Sequence, residues 1–148
     1  MLFRSKVKKL HSAAILPRRG SAQAAGYDLF ACLPEEGEIV LQPGETRRIP
    51  LGLALALPEG TFGAVFARSG LATRQGLRPA NCVGVVDSDY RGENMVPLHN
   101  DSGVPQTIRH GDRVAQMVVL PYLAVDFLEA DALDETERGE GGFGSTGR

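Results

Sequence analysis

The sequence predicts an all-β fold, a sandwich or a barrel. The first observation is the regular spacing of short apolar stretches separated by turn sequences such as Pro58-Glu59-Gly60. The second is a period of two in large apolar residues, which indicates a strand with one deeply buried face; these residues are Ile49, Leu51, Leu53, Leu55 and Leu57. A chain of 148 residues has the length of one domain and can bury a sizeable core.

The composition excludes several classes of protein. A formal net charge of −2 gives no reason to expect a general nucleic-acid-binding protein. Cys32 and Cys82 form neither a CxxC pair nor a Cys/His metal pattern, so we expect reduced thiols in a cytoplasmic protein. The N-terminus lacks the apolar core of a signal peptide, and no apolar run approaches the roughly 18 residues that cross a membrane. We expect no membrane partner.

The first part of the chain contains one unusual carboxylate. Residues 3–10 predict a solvated edge strand, because Lys6, Lys8 and Lys9 discourage pairing with another sheet. Asp28 then falls in the otherwise apolar stretch 24–30. A carboxylate in such a strand needs partners. Local backbone N–H groups are one ordinary source of them.

Residues 68–76 interrupt the β pattern and predict a turn or two of helix. Ser69 is a suitable N-cap residue, and Gly76 can end the helix. A helix N-terminus presents free N–H groups and a partial positive charge, so it can bind an anion. Arg68 adds a guanidinium group at the same place. A short capped helix without a ligand explains this segment equally well.

Residues 84–92 (GVVDSDYRG) predict a hairpin that carries chemistry. A glycine and two valines form the incoming strand, and Asp87 and Asp89 share one face if the chain stays extended. Arg91-Gly92 closes the turn, and a second strand follows at 94–98. A polar β-turn is the alternative, because Asp, Ser and Gly are common turn residues.

Two later segments complete the pattern of strands. Residues 113–120 predict a strand, and every second side chain falls on one face of it, namely Val114, Gln116, Val118 and Leu120. Gln116 is the polar member of that face. His99 and His110 stand apart from other types of metal ligand, so we expect them to be hydrogen-bonded structural residues.

The C-terminal residues 138–148 contain five glycines in eleven positions, which makes a fixed conformation costly. A disordered tail is the simplest explanation. Phe143 argues for a ligand, since it is an aromatic residue without apolar neighbours, and Arg138, Ser145 and Thr146 are types that bind phosphate. No lysine or helix follows Gly144, so this is not a Walker A loop. We interpret 1–137 as the β core and 138–148 as an arm that closes over a ligand.

Five segments together resemble the motifs of the trimeric dUTPase family. They occur in the family's order at residues 25–29 (AGYDL), 68–72 (RSGLA), 84–92 (GVVDSDYRG), 111–116 (GDRVAQ) and 138–147 (RGEGGFGSTG). The resemblance implies a jelly-roll-like β-barrel and a homotrimer whose active sites are shared between subunits. It also implies Mg²⁺-dependent hydrolysis of dUTP to dUMP and pyrophosphate, which keeps uracil out of DNA and supplies dUMP for thymidylate synthesis.

The resemblance also implies a role for each motif residue. Asp87 matches the general base, which activates the water that attacks the α-phosphorus. Asp28 matches a residue that orders water around Mg²⁺. Tyr90 packs against the deoxyribose, and the uracil pocket comprises Asn81, Met95 and the backbone of Gly84, Val85 and Val86. The phosphate-side residues are Arg68, Ser69, Gly70 and Gln116. The substrate-binding residues of the arm are Arg138, Phe143, Gly144, Ser145 and Thr146, of which Phe143 stacks on a flat group of the ligand. Asp89 and Arg113 fit a structural ion pair or hydrogen bond.

Two other functions are compatible with parts of this pattern. A dCTP deaminase shares the implied fold, but its chemistry requires a glutamate base near the pyrimidine, whereas this chain has Asp87 and a complete glycine-rich arm. A non-catalytic nucleotide-binding protein would be indicated by changes at Asp87, Tyr90 or the arm, and the sequence shows none.

Overall fold

The computed structural model describes residues 4–142, which form twelve β-strands and one short helix. The first six strands are β1 (Lys6–Lys9), β2 (Arg18–Arg19), β3 (Tyr27–Phe30), β4 (Glu38–Leu41), β5 (Thr46–Pro50) and β6 (Leu53–Ala56). They are followed by β7 (Thr61–Phe66), α1 (Ser69–Gln75), β8 (Leu77–Pro79), β9 (Gly84–Asp87), β10 (Met95–Asn100), β11 (Gln106–Arg109) and β12 (Arg113–Pro121). The prediction of an all-β, jelly-roll-like fold is confirmed.

The strands form four antiparallel sheets whose order differs strongly from the order along the chain. The largest sheet has the order β2-β3-β12-β7-β9, and a second has the order β5-β10-β8. The pairs β1-β6 and β11-β4 complete the structure. Because β12 lies between β3 and β7, segments that are far apart in sequence become neighbours. No helix in residues 4–142 is long and apolar enough to cross a membrane.

The core lies between these sheets and is built almost entirely from aliphatic side chains. The largest fully buried ones include Leu41, Leu77, Leu98, Ile108 and Val114. One polar side chain, Asn100, is completely buried among them, and its amide donates to the carbonyls of Leu41 and Val104 at 3.0 and 2.9 Å. Its carbonyl oxygen accepts from the N–H and hydroxyl of Ser102, so all four hydrogen-bonding positions are used.

The five alternating apolar residues are all buried, but they do not form one strand. β5 ends at Pro50, and Gly52 turns the backbone at a φ of +63° before β6 begins. As a result, Leu53 packs with Ala14 and Cys32 in a small second cluster, whereas Leu51 and Leu55 join the main core. The alternation predicted the burial correctly, and the interruption at Gly52 is the part it missed.

The predicted common face of the last strand is wrong at one residue. The pairing of β12 with β3 shifts register between Arg113 and Ala115, which leaves Val114 as an extra, unpaired residue of a β-bulge. Val114 is therefore buried together with Ala115 and Met117. Gln116 lies on the opposite face of the strand and is only partly buried.

The expectations for the edge strand and the histidines are confirmed. β1 pairs with β6, and its three lysines are exposed. His110 Nδ1 accepts the backbone N–H of Leu33 at 3.0 Å, and His99 Nδ1 lies 2.8 Å from the hydroxyl of Thr46. Both histidines thus have structural hydrogen bonds.

Gly52 offers a test of how tightly the second cluster is packed. In a Gly52→Ala variant the new Cβ would lie 2.7 Å from Cys32 Sγ and 3.0 Å from Ala14 Cβ, in a left-handed backbone conformation. We expect the free energy of unfolding to fall by about 2–4 kcal/mol. Urea unfolding at a fixed chain concentration measures this change.

Gly60→Ala is the matched control, because Gly60 has a φ of +75° but no atom within 4 Å of the new Cβ. We expect it to cost only the backbone penalty of about 1 kcal/mol. If both variants lost the same free energy of unfolding, contact with Cys32 and Ala14 would not be what disfavours a side chain at residue 52.

Candidate functional site

Three of the sequence motifs meet at one end of the five-stranded sheet. Asp28 on β3 is paired with Gln116 on β12, and Gln116 is paired on its other side with Phe66 on β7. Arg68 follows Phe66 by two residues and begins the segment that leads into α1. The order of the strands therefore places these motif residues in one row.

Asp28 holds two arginines from different elements. Its side chain is 16% exposed; Oδ1 lies 2.8 Å from Arg68 Nε, and Oδ2 lies 3.4 Å from Arg113 Nη1. The alternative that local backbone N–H groups satisfy Asp28 is therefore wrong. A partly buried carboxylate is stabilised by paired charge of this kind. The carboxylate also fixes the direction in which Arg68 points.

Gln116 connects the same row of residues through its amide. Its Nε2 donates to the backbone carbonyl of Ala67 at 3.0 Å. Gly26 lies directly against this side chain, because a Cβ at residue 26 would overlap Gln116 Oε1. A side chain at residue 26 would therefore displace the amide group of Gln116.

The N-cap of α1 lies one residue before the predicted one. Arg68 is the N-cap residue, has extended backbone angles and makes no side-chain capping hydrogen bond. The assignment of Ser69 as N-cap is therefore wrong, and Ser69 is the first helical residue. Gly76 ends the helix as predicted, at a φ of +67°, with its N–H directed to the carbonyls of Leu71 and Ala72.

A cavity of about 370 Å³ lies along this helix. Its lining residues are Arg68, Ser69, Gly70, Leu71, Arg74, Gln75 and Arg113. Three arginines and the hydroxyl of Ser69 give its lining the chemistry to bind an anion. Of the predicted phosphate-side residues, Arg68, Ser69 and Gly70 line this cavity, and Gln116 lies in the adjoining row of paired residues.

The prediction of a paired hairpin at 84–98 is wrong, because β9 pairs with β7 in the five-stranded sheet, whereas β10 pairs with β5 and β8 in another sheet. A turn joins the two strands, in which the N–H of Tyr90 donates to the carbonyl of Asp87 at 3.2 Å. Residues 84–95, the hairpin segment, thus run from the exposed edge of the five-stranded sheet into the three-stranded one.

β9 is the last strand of the five and pairs with β7 alone among the described strands. Asp87 and Met95 are exposed, and Tyr90 is 47% exposed. The amide of Asn81 lies beside the strand, since a Cβ on Gly84 would be 3.3 Å from Asn81 Nδ2. Of the predicted uracil-side residues, Asn81 and Gly84 are thus neighbours.

Glu93 and Asn94 hold the turn of the hairpin segment in place, and sequence reasoning missed both. Glu93 Oε1 accepts the N–H of Gly52 at 3.0 Å, and its backbone carbonyl accepts the hydroxyl of Tyr90 at 3.0 Å. The backbone of Asn94 bonds to Leu51 and Leu53 at 3.1 and 2.8 Å. The only sequence signal was their position directly after Gly92.

Burial also affects the thiol beneath this turn. The pKa of Cys32 is raised, first by burial and then by the nearby carboxylate of Glu93. Cys32 therefore stays protonated near neutral pH. It is unbonded and packs as a small apolar residue, in agreement with the expectation of reduced thiols.

The carboxylate of the hairpin segment and the arginine cavity lie apart within one chain. Asp87 is paired with Phe62, near the start of β7, whereas the arginine cluster lies beyond Phe66 at its end. Four residues of extended strand span about 13 Å, and Arg68 lies further along the chain. One chain therefore does not bring Asp87 and Arg68 to the same phosphorus atom.

Residues 122–142 make few contacts with the rest of the described chain. Residues 122–137 lack regular secondary structure and are exposed, including Leu123 at 90% and Phe127 at 95%. Arg138 Nε donates to the carbonyl of Gly141 at 2.8 Å. The predicted arm residues Phe143, Gly144, Ser145 and Thr146 lie outside the described residues.

The described residues contain no cluster of three or more His, Cys, Asp or Glu side chains that could hold a metal ion directly. Asp28 fits the indirect role that the resemblance implies. Each of its oxygens accepts one arginine N–H and keeps a second lone pair. A water of a hydrated Mg²⁺ ion could donate to that lone pair.

The dUTPase family model matches residues 12–147. The chain belongs to the dUTPase family. It is 53% identical to the deoxyuridine 5′-triphosphate nucleotidohydrolase of Desulfitobacterium hafniense over 133 residues, which cover 89% of this chain and 87% of the relative. The corresponding protein of Maricaulis maris is 45% identical over 144 residues, which cover 96% and 95% of the two chains.

Solved dUTPase structures share the fold over nearly the whole chain. The dUTPase of Staphylococcus bacteriophage 80alpha in complex with dUpNHpp superposes with a TM-score of 0.88 at 27% identity, covering 98% of this chain and 99% of the phage chain. A glycine-to-serine variant of that dUTPase, also with dUpNHpp, gives the same TM-score at 26% identity. The family predicted from the five motifs is confirmed.

The ion pairs of Asp28 provide a test at this site. In an Asp28→Asn variant, Arg68 keeps a hydrogen-bond acceptor but loses the opposite charge at 2.8 Å. We expect the free energy of unfolding to fall by about 1–2 kcal/mol, because the pair is largely shielded from solvent. Urea unfolding at a fixed chain concentration measures it.

Glu38→Gln is the control, since it removes an exposed ion pair with Arg109 whose atoms are 3.5 Å apart. An exposed pair of this kind contributes about 0–1 kcal/mol. If Asp28→Asn and Glu38→Gln lowered the free energy of unfolding equally, the shielding of Asp28 from solvent would not strengthen its ion pairs.

Proposed function

We propose that this chain hydrolyses dUTP to dUMP and pyrophosphate. The observation that carries the proposal is the cavity lined by Arg68, Arg74 and Arg113 beside Asp28, in a member of the dUTPase family. Its relatives are named deoxyuridine 5′-triphosphate nucleotidohydrolases, and the phage 80alpha dUTPase was crystallised with dUpNHpp. Such an activity removes dUTP before uracil enters DNA and provides dUMP for thymidylate synthesis.

The reaction is an in-line displacement at the α-phosphorus. Asp87 accepts a proton from water as the water oxygen forms its bond to phosphorus, and the bond to the bridging oxygen of the β-phosphate breaks. Pyrophosphate leaves with that electron pair. Asp87 suits this role because its carboxylate is exposed at the end of an anchored strand.

The arginine cavity and the arm bind the phosphates. Arg68 is already oriented by Asp28, which lowers the cost of ordering it when the ligand binds. Ser69, Gly70 and Gln116 contact the phosphates with it. The arm closes the site through Arg138, Phe143, Gly144, Ser145 and Thr146, and Phe143 stacks on the uracil ring.

Uracil recognition uses the free edge of β9. An edge strand presents backbone N–H and C=O groups with no partner in the sheet, so Gly84, Val85 and Val86 can bind the edge of the base. Asn81 adds a side-chain amide beside them. Tyr90 and Met95 close the pocket around the deoxyribose and leave no room for a 2′-hydroxyl.

Magnesium is the proposed cofactor, with Asp28 acting through water. When bound, Mg²⁺ neutralises charge on the phosphate oxygens. The protein contributes the Asp28 carboxylate, which Arg68 and Arg113 hold in a fixed orientation. Each carboxylate oxygen keeps one lone pair that can accept a hydrogen bond from a water bound to Mg²⁺.

We also propose a homotrimer in which each active site combines residues of different subunits. The separation of Asp87 from the arginine cavity supports it, because a second chain must supply one of the two. The exposed apolar residues after β12 support it too, since a neighbouring chain can cover them. They include Leu123, Phe127, Leu128 and Leu133.

The Asp87→Asn variant tests the reaction. It keeps the shape of the side chain but removes the basic carboxylate, so we expect kcat for pyrophosphate release from dUTP to fall by about 10²–10⁴-fold. Binding of dUpNHpp should be unchanged, as measured by calorimetry. Asp89→Asn is the control and should keep most of the activity.

Several outcomes would contradict this assignment. Near-normal turnover by Asp87→Asn would remove Asp87 from the base role. Release of ammonia from dCTP by the wild-type protein would indicate a deaminase instead. Binding of dUpNHpp without pyrophosphate release from dUTP would indicate a nucleotide-binding protein that is not an enzyme.

Mixing inactive variants tests the shared site. In the Asp87→Asn protein every site lacks the base, and in the Arg68→Gln protein every site lacks a phosphate-binding arginine. In a mixed trimer, some sites combine Asp87 from an Arg68→Gln chain with Arg68 from an Asp87→Asn chain, and these sites are intact. Random exchange should restore about a quarter of the wild-type activity. Asp87→Asn mixed with Asp87→Ala is the control and should stay inactive, because both changes remove the same carboxylate. Failure of the first mixture after verified exchange would place the whole site in one chain.

A further inference from the structure

One arginine of the phosphate cavity differs from the other two. Arg68 and Arg113 share the carboxylate of Asp28, whereas Arg74 has no carboxylate partner within residues 4–142. Arg74 belongs to the last turn of α1, lines the cavity and is exposed to solvent. Its positive charge is therefore available to a ligand.

The guanidinium of Arg74 already lies over the predicted phosphate-binding segment. A Cβ on Gly70 would be 3.4 Å from Arg74 Nη2 and 3.9 Å from Nε. This approach follows from helix geometry, because a long side chain points back toward the residue four positions earlier.

The charges of the cavity show how much Arg74 contributes. Three arginines line it, and Asp28, which pairs with two of them, offsets one positive charge. The remaining net charge is +2, and the loss of Arg74 would halve it. Arg68 is oriented before a ligand arrives, whereas Arg74 can adjust its position to the ligand.

The cavity also has the right extent for a chain of phosphates. All of its α1 residues lie between Ser69 and Gln75, so it follows the helix for about 10 Å. According to the proposed function, the nucleoside end of the substrate binds at the hairpin segment of a neighbouring subunit. The phosphates beyond the α-phosphate are then the groups that extend along α1 toward Arg74.

We propose that Arg74 binds the β- and γ-phosphates of the substrate and so favours a nucleoside triphosphate over a monophosphate. This inference rests on the proposed function for the identity of the nucleoside. The planar guanidinium can donate two parallel hydrogen bonds to one phosphate, which a lysine cannot do. Arg74 thus acts on affinity and not on the chemical step.

Binding measurements on the full chain test this inference. Calorimetry would compare dUpNHpp with dUMP for the wild type, Arg74→Gln and Arg74→Lys. We expect Arg74→Gln to weaken dUpNHpp binding by about tenfold and dUMP binding by less than about twofold. Arg74→Lys should recover part of the loss. In turnover of dUTP, Arg74→Gln should raise KM and leave kcat nearly unchanged.

Arg48→Gln is the matched control, since Arg48 is an exposed arginine on β5 in a different sheet. It should change neither affinity. Glutamine has nearly the helix propensity of arginine, so α1 should keep its stability in Arg74→Gln, as thermal unfolding would verify.

Tripolyphosphate as a ligand separates this inference from the proposed function. If the wild type binds tripolyphosphate and Arg74→Gln weakens that binding, Arg74 is a phosphate residue even if dUTP is not hydrolysed. Wild-type affinity of Arg74→Gln for dUpNHpp would overturn the inference. An equal loss for dUpNHpp and dUMP would also overturn it, because Arg74 would then not distinguish the outer phosphates.

Discussion

The candidate site depends first on the carboxylate of Asp28. It joins β3 to the segment after β7 and to the start of β12, through Arg68 at 2.8 Å and Arg113 at 3.4 Å. These elements are neighbours only because β12 lies between β3 and β7 in the largest sheet. Without this carboxylate, two guanidinium groups would face each other near the row of Gln116 with no opposite charge. The anion cavity is thus a consequence of strand order and of one charge.

The hairpin segment is held by a separate set of contacts. Glu93 and Asn94 fasten its turn to the interruption between β5 and β6, where Gly52 permits the backbone to turn next to Cys32. β9 and the residues around Asp28 belong to the same five-stranded sheet, but the turn after β9 is fastened to the segment between β5 and β6, outside that sheet. The edge of β9 and the arginine cavity therefore have separate supports. In the proposed trimer, each chain would present these two half-sites to its neighbours.

The sequence correctly predicted the features that depend on residues close together in the chain. Alternation indicated which leucines are buried, Gly76 marked the end of α1, and five motifs indicated the family. It did not predict the partners of Asp28, because Arg68 and Arg113 come next to it only through long-range strand pairing. It misplaced Val114, since a β-bulge changes the face of a strand without a distinctive residue. Glu93 was missed because its acceptor role depends on Gly52, which is far away in sequence.

The arginines of the cavity illustrate two ways to bind a charged ligand. Arg68 is fixed by Asp28, so little side-chain entropy is lost on binding, but part of its charge is already offset. Arg74 keeps its full charge and its freedom, and it must lose that freedom when a phosphate binds. A fixed group suits the α-phosphate, whose position must match the attacking water. An adaptable group suits the outer phosphates, which only have to be held while the pyrophosphate leaves.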